Sequence, residues 1–359
     1  MARVSALKSP KTVSALEGYD PGDFHCELLG AQKQPGRQIA PLWHCLETSE
    51  LSNLRQRAAD AERELFNLGI TFTVYTEKDA IDRILPFDVI PRVINAADWA
   101  RIDAGVKQRV RALNMFLHDV YHDGHILKDG VVPKDLVLGN PGYRREMVGL
   151  DLPCQTYIHV NGTDIIRDPA GEFMVLEDNG RSPSGVSYVV GNRHLMQLGF
   201  PDLIQGLRIR PVSDYGRRLL EKLREVAPEG VDNPCVVLLS PGIYNSAYFE
   251  HVFLAREMGV TLVEGRDLVV VDDRVYAHTI AGLSPVHVIY RRINDEFLDP
   301  EAFEPSSMLG VPGVLRAVRR GNVTLANAIG TGVADDKAVY AYVPRIIRYY
   351  LSEEPILAN

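Results

Sequence analysis

The chain has 359 residues, of which 46% are apolar, enough for sizeable cores in about two domains. Its 39 Lys and Arg against 47 Asp and Glu give a net charge of −8, which predicts no broad basic surface for nucleic acid or an anionic membrane. The first 18 residues lack the apolar core of a signal peptide, no apolar run has the length of a bilayer helix, and four scattered cysteines fit a reducing compartment. We therefore expect a cytoplasmic globular protein.

The first half of the chain begins with a Pro- and Gly-rich segment, residues 1–48, which we expect to be an irregular arm. Apolar residues then recur at helical spacing from Ser49 until Gly69, followed by a short strand over Ile70–Tyr75. A second helical pattern runs from Trp99 to Val120 and is the clearest helix in the sequence.

Strand-like patterns follow over Tyr157–Val160, Asp164–Asp168 and Phe173–Asn179, with turn residues between them. Residues 157–179 therefore predict an antiparallel meander of three strands.

Later in the chain, a strand over Cys235–Ser240, a helix over 246–258 and a strand over Thr261–Glu264 predict a βαβ unit on a parallel sheet. Two further strands, Leu268–Val271 and Val286–Tyr290, are expected to continue that sheet. We place the boundary between two lobes near residues 195–210. We predict four segments of the chain, with domain boundaries that give residues 1–48, 49–200, 201–345 and 346–359.

The hairpin between the second and third strands of the meander predicts a metal site. If Ala170 and Gly171 form a two-residue loop, Asp164 lies directly opposite Glu177, and Asn179 shares their face. Three oxygen ligands favour a hard cation such as Mg²⁺. The alternative is an ordinary solvated hairpin face in a register one residue away.

The loop after this hairpin, Asn179–Gly185, is rich in small hydroxyl residues and contains Arg181. Its backbone amides and hydroxyls could bind a carboxylate or phosphate, and Arg181 could pair with that anion as a catalytic residue. A plain polar turn is the alternative.

Several long segments resemble the circularly permuted ATP-grasp proteins of the second type, relatives of glutathionylspermidine synthetase. The resemblance extends from about residue 65 to the end of the chain. Its segments are Gly69–Tyr75, Pro86–Arg92, Gln108–Asn114, Phe116–Tyr121, Leu176–Tyr188, Glu250–Arg256, Val263–Leu268, Tyr290–Asp295 and Asn327–Lys337.

This resemblance implies an α/β (α+β) fold, with an antiparallel catalytic sheet and a Rossmann-like pre-ATP-grasp lobe that binds substrate. It also implies an ATP-dependent ligase that phosphorylates a carboxylate and lets an amine attack the acyl phosphate. Asp164, Glu177 and Asn179 match the family's magnesium ligands, and Ser182 and Ser184 match residues that line the acceptor carboxylate pocket. The expected partners are small-molecule or peptide carboxylate and amine substrates, with ATP and Mg²⁺.

Four further basic residues are candidates for ligand contacts. Arg291 and Arg292 follow a buried strand, at the end where open α/β sheets bind ligands. We predict that Arg291 contacts the substrate and that Arg292 acts in catalysis. A surface ion pair with Asp295 or Glu296 is the alternative. Arg167 and Lys337 are predicted to contact the nucleotide.

In the resembled enzymes, a Lys-Pro segment and a Gly-Ser-Gly-Gly loop follow and form a lid over the nucleotide. Residues 346–359 are expected to begin a truncated lid segment, so a catalytically inactive remnant that binds a peptide-like ligand or a protein is the alternative function. His118 and His122 imitate a zinc motif, but a third ligand is not evident. Apolar helix seams would permit a homodimer.

Overall fold

The computed structural model describes residues 13–30, 34–75, 80–83 and 86–359. The helices are α1 (Ala40–Thr48), α2 (Leu51–Asn67), α3 (Ala96–Tyr121), α4 (His125–Lys128), α5 (Lys134–Leu138), α6 (Val186–Gly199), α7 (Pro201–Ile204), α8 (Tyr215–Glu225), α9 (Tyr248–Met258), α10 (Asp295–Leu298), α11 (Val314–Arg319), α12 (Lys337–Tyr340) and α13 (Val343–Leu351). The strands are β1 (Phe72–Tyr75), β2 (Ala80–Arg83), β3 (Gly162–Arg167), β4 (Phe173–Asn179), β5 (Val236–Leu239), β6 (Thr261–Val263), β7 (Leu268–Val271), β8 (Arg274–Thr279), β9 (Gly282–Val286), β10 (Val288–Arg291) and β11 (Thr324–Ala326). The predicted mixed α/β class is confirmed.

The N-terminal region contains more regular structure than the sequence predicted, because residues 40–48 form helix α1. Leu42 and Leu46 on this helix are fully buried, so the segment contributes to a core instead of lying loosely on the surface. Residues 1–12 and 31–33 of the predicted arm lie outside the described residues. Over the described ranges, no helix is both long enough and apolar enough to cross a membrane.

Helix α3 confirms the helix predicted between Trp99 and Val120, and it begins three residues earlier. Its start is set by Asn95, whose side chain accepts hydrogen bonds from the amides of Ala97 and Asp98, both at 2.9 Å. One face of the helix is buried in the main core. Its fully buried apolar side chains are Ala112, Leu113, Phe116, Leu117 and Tyr121.

A parallel four-stranded sheet with the order β11-β10-β5-β6 forms the centre of the second half of the chain. Every residue of β5 and β10 is buried, as expected for strands covered on both faces. Helix α9 connects β5 to β6, which confirms the predicted βαβ unit.

Strand β7 does not continue the parallel sheet, so that part of the prediction is wrong. It pairs antiparallel with β8, which pairs in turn with β9 in a separate three-stranded sheet. The two residues between β7 and β8, Asp272 and Asp273, have φ values of 50° and 55°. Positive φ at both central positions is typical of the tight hairpin turn that reverses the chain.

The predicted strand Tyr157–Val160 is not formed, and the meander is reduced to the two-stranded hairpin β3-β4. Side chains take the place of a neighbouring strand. Asn114 Oδ1 accepts hydrogen bonds from the amides of Tyr157 and Ile158, at 2.8 and 2.9 Å. Asn327 Oδ1 does the same for His159 and Val160, at 2.8 and 2.9 Å.

Candidate functional site

The hairpin β3-β4 places Asp164 directly opposite Glu177, as the sequence predicted, but through a different loop. Asp168 donates its amide to the carbonyl of Glu172 at 3.0 Å, so the loop has three residues instead of two. The register then shifts between Asp164 and Ile165. This irregularity inserts one extra residue on β4 and restores the predicted pairing.

The opposite face of the hairpin is anchored to helix α3 by a buried ion pair. Asp178, which lies between Glu177 and Asn179 in sequence, faces inward because side chains alternate along a strand. Arg109 Nη2 and Nε donate to Asp178 Oδ2 at 2.6 and 3.0 Å, and both side chains are 1% exposed. Sequence reasoning missed this pair. The signal was an acidic residue at an inward position, which needs a buried cationic partner.

The outer face of the hairpin carries the three predicted metal ligands, and two of them, Asp164 and Glu177, are carboxylates that lie close together. Burial and the neighbouring Glu177 carboxylate raise the pKa of Asp164 above its usual range. The hydrogen bond from Lys337, whose Nζ lies 3.1 Å from Glu177 Oε2, lowers the pKa of Glu177. Asn179 donates Nδ2 to the carbonyl of Gly162 at 3.2 Å. The arrangement therefore already contains one positive charge that partly offsets the two carboxylates.

Asp164, Glu177 and Asn179, here called the metal trio, have donor groups that suit a hard cation: two carboxylates and one carboxamide on adjacent strands. Like charges directly opposed on a sheet destabilise it unless a positive charge lies between them. Over the described residues, no group of three His, Cys, Asp or Glu side chains is arranged to hold a metal ion, and the trio itself contains only two residues of these types.

The loop after β4 begins next to the trio, and two side chains from the second half of the chain hold its first residues. Asp335 Oδ1 accepts hydrogen bonds from the amides of Gly180 and Arg181, at 2.7 and 3.2 Å. Asn327 Nδ2 donates to the carbonyl of Gly180 at 2.8 Å. The Arg181 side chain is 43% exposed, with its Nε 3.6 Å from Asp335 Oδ2, so its guanidinium is accessible to a ligand.

The two predicted pocket serines differ in exposure. Ser184 is exposed. The hydroxyl of Ser182 is buried, and within the described part of the chain it has no hydrogen-bond partner. An unpartnered buried hydroxyl is uncommon in native structures and is one feature of a site that accepts a ligand or a water molecule.

Arg292 lies beneath this loop, in a buried ion pair with Glu250 of helix α9. Its Nη2 donates to Glu250 Oε1 at 3.0 Å, and its Nη1 donates to the carbonyl of Pro183 at 2.5 Å. The exposed fractions of the Arg292 and Glu250 side chains are 2% and 1%. Sequence reasoning identified Arg292 but missed Glu250, because the pairing joins segments 42 residues apart.

Arg291 is held by the protein, which favours a structural role over the predicted substrate contact. Its guanidinium donates to the carbonyls of Asn327, Ile293 and Ala328, at 2.7 to 2.8 Å. It also pairs with Asp295 at 2.7 Å, in a buried ion pair and not the surface pair with Asp295 or Glu296 that the sequence left open. The Arg291 side chain has no exposed surface.

Arg167 is not brought to the metal trio. It lies three residues beyond Asp164 on β3, toward the hairpin loop, where Nε donates to the carbonyl of Gly171 at 2.8 Å. Its guanidinium also pairs with Asp98 at 3.2 Å and stacks 4.3 Å from the ring centre of Phe173. These contacts fasten the hairpin loop to the start of helix α3 and do not favour the predicted nucleotide contact.

His118 and His122 line a groove of about 680 Å³, with ring centres 4.2 Å apart. Burial and the neighbouring His122 lower the pKa of His118. His122 Nε2 lies 3.3 Å from Asp151, but among the described residues these groups do not form a three-ligand metal site. The structure therefore gives the zinc hypothesis no third ligand.

Most of the chain is similar to known proteins. Residues 91–359 match the family described as "A circularly permuted ATPgrasp". An uncharacterized protein of Synechocystis sp. is 52% identical over 344 residues, which are 96% of this chain and 72% of that protein. A Frankia alni protein with the provisional name glutamate–cysteine ligase is 40% identical over 357 residues, which are 98% of this chain and 41% of that protein.

Among solved structures, a glutathione synthetase-like effector from Globodera pallida, determined in its apo form, has a similar fold. The TM-score is 0.53 at 13% sequence identity, over 86% of this chain and 71% of the effector. At this identity the likeness concerns the fold alone. The chain spans only part of each of the two curated relatives.

Proposed function

Because the chain belongs to the circularly permuted ATP-grasp family, we propose that it carries the active site of an ATP- and Mg²⁺-dependent ligase that joins a carboxylate to an amine. The observation that carries this proposal is the position of Asp164, Glu177 and Asn179 on one face of two paired strands. A ligase is also what the provisional name of the Frankia alni relative states.

The chemistry has two steps. A carboxylate oxygen attacks the γ-phosphorus of ATP and releases ADP, and the amine then attacks the acyl carbon, losing a proton and expelling phosphate. Phosphoryl transfer depends mainly on alignment and charge stabilisation, and Mg²⁺ supplies charge neutralisation at the phosphates when bound. In our proposal Asp164, Glu177 and Asn179 hold that cation.

The residues around the trio then have distinct tasks. Lys337 is 79% exposed and can turn from Glu177 toward a phosphate when a cation replaces it. Arg181 supplies a second mobile positive charge for the phosphoryl group or the carboxylate. The hydroxyls of Ser182 and Ser184 orient the acceptor carboxylate. Substrates of the glutathionylspermidine synthetase kind, a peptide-like carboxylate and an amine, are the finer part of the proposal.

Isothermal titration of Mg²⁺-ATP tests the site without knowledge of the substrate. Glu177→Ala should weaken binding at least about tenfold, since even the partners of metal ligands contribute that much. The matched control is Glu172→Ala, which removes the same side chain from the same hairpin at a position that is 56% exposed and pairs with exposed Arg101. Equal affinity in all three proteins would contradict the proposal.

Release of ADP then distinguishes a ligase from a binding protein. The assay supplies glutamate with cysteine, or glutathione with spermidine, as carboxylate and amine. ADP that appears only when both substrates are present supports ligation. Binding of Mg²⁺-ATP without turnover on these or related pairs would favour the alternative, a module that holds a peptide-like ligand.

A further inference from the structure

We propose that Glu250 and Arg292 act together as a positioning pair that holds Ser184 in place for the acceptor carboxylate. Neither residue then contacts the reacting atoms, so Arg292 is a positioning residue and not a catalytic one. The functional consequence rests on the proposed ligase activity, but the positioning itself can be tested without it.

The contacts bracket Ser184 on both sides. Arg292 Nη1 donates to the carbonyl of Pro183 at 2.5 Å, just before the serine. Glu250 Oε2 accepts a hydrogen bond from the amide of Gly185 at 2.7 Å, just after it. Ser184 itself is exposed. The pair therefore fixes the backbone on each side of this residue while its side chain remains available.

Glu250 also caps helix α6, which starts directly after the serine. Its Oε2 accepts hydrogen bonds from the amide and hydroxyl of Ser187, at 3.2 and 2.8 Å. A carboxylate at a helix N-terminus satisfies amides that have no partner within the helix and interacts favourably with the helix dipole. The same carboxylate thus fixes the end of the loop and the beginning of the helix.

The pair joins three elements that are far apart in sequence. Glu250 lies on helix α9, Arg292 directly follows strand β10, and the loop that they hold extends from hairpin strand β4. Arg292 is oriented further by its Nη1 contact with the Tyr290 hydroxyl at 3.2 Å. Because the pair is almost completely desolvated, its hydrogen bonds are strong and breaking one partner leaves a buried charge.

The other end of the loop is held independently, by Asp335 and Asn327 at Gly180 and Arg181. Loss of the Glu250–Arg292 pair should therefore free residues near Ser184 and leave the metal trio in place. We therefore expect the KM for the acceptor carboxylate to change, and the KM for Mg²⁺-ATP to change little.

The test compares Glu250→Gln with Asp299→Asn, a control of the same kind elsewhere in the fold. Asp299 is a buried carboxylate that accepts backbone amides from Gly313 and Leu315, both at 2.9 Å. A third protein, Glu250→Gln with Arg292→Met, removes both charges. It guards against simple misfolding, since replacing both members of a buried pair leaves no unpaired charge.

Amide hydrogen exchange of the 184–188 segment is the first measurement. We expect exchange there to rise about tenfold or more in both Glu250 variants, because each loses a charge-assisted hydrogen bond, and to stay unchanged relative to the rest of the protein in Asp299→Asn. A uniform rise across the whole protein in the Glu250 variants, or no rise at this segment, would overturn the proposal.

Steady-state kinetics of ADP release is the second measurement, with glutamate as the carboxylate and cysteine as the amine, or glutathione and spermidine in the same roles. The KM for the carboxylate should rise about tenfold in the double variant while the KM for Mg²⁺-ATP stays within twofold. Equal changes in both KM values would contradict positioning. If the unmodified protein forms no ADP with either pair, the kinetics favour the binding module over the ligase proposal, and the exchange result still decides whether Glu250 and Arg292 hold the loop.

Discussion

Lys337 Nζ lies 3.1 Å from Glu177 Oε2, so a lysine occupies the side of the acidic pair where a cation would bind. Lys337 is the first residue of helix α12, whose N-terminal cap is Asp336. The lysine and a divalent cation should therefore compete for Glu177. Loss of the lysine should therefore change the affinity for free Mg²⁺ and the affinity for Mg²⁺-ATP in opposite directions.

Replacement of Lys337 by Met tests the competition. We expect free Mg²⁺ to bind about two- to fivefold more tightly, the range expected when an exposed ion pair is removed, and Mg²⁺-ATP to bind more weakly because a phosphate contact is lost. Titration calorimetry with each ligand gives both values. Weaker binding of free Mg²⁺ would contradict the assignment of Lys337.

Neutralising Asp164 should abolish Mg²⁺ binding without lowering the free energy of unfolding. The Asp164→Asn variant removes one of two directly opposed carboxylates, so the free energy of unfolding should stay the same or rise by up to about 1 kcal/mol. Binding of Mg²⁺ should be lost. Urea unfolding and calorimetry measure the two quantities, and a marked loss of stability would indicate that Asp164 is structural.

The same residue predicts a pH dependence. The pKa of Asp164 is raised above its ordinary value of 3.8, so the folded protein binds this proton more tightly than the unfolded chain. The resulting stability is fully present below pH 3.8 and is lost as the pH rises through the raised pKa. Affinity for Mg²⁺ should increase over that same window.

The check is to follow unfolding free energy and Mg²⁺ affinity against pH in the unmodified protein and in Asp164→Asn. The difference in unfolding free energy between the two should change only between the ordinary and the raised pKa. A difference that is independent of pH would show that Asp164 ionises as it does in the unfolded chain.

Asp178→Asn should behave in the opposite way to Asp164→Asn. It leaves Arg109 buried without its charged partner, and the expected loss is about 3–5 kcal/mol of unfolding free energy. Adding Arg109→Met should recover most of that loss. Urea unfolding of the three proteins tests this, and a loss below about 1 kcal/mol in Asp178→Asn would contradict the anchoring role.

The outer face of the hairpin was predictable because strand alternation is a local rule. The pairing of Asp164 with Glu177 was predicted correctly, although the two-residue loop was wrong and the register shift at Ile165 compensated for it. Local pattern reasoning cannot distinguish a longer loop with an irregularity from a shorter loop without one.

Contacts between distant segments could not be predicted from sequence patterns. Asn327 and Asn114 replace a strand partner for residues 157–160 through side-chain hydrogen bonds, which leave no periodic signal. The partners of Asp178 and Arg292 are likewise set by tertiary packing. Positions on a single hairpin could therefore be predicted from the sequence, whereas the contacts of single arginines could not.

The most direct test is a crystal structure of the chain with Mg²⁺ and a non-hydrolysable ATP analogue. We predict a cation within about 2.1 Å of oxygens of Asp164, Glu177 and Asn179, bridging to the phosphates, with Lys337 moved away from Glu177. An analogue bound with its phosphates and cation elsewhere, and with the contact between Lys337 and Glu177 intact, would contradict the account.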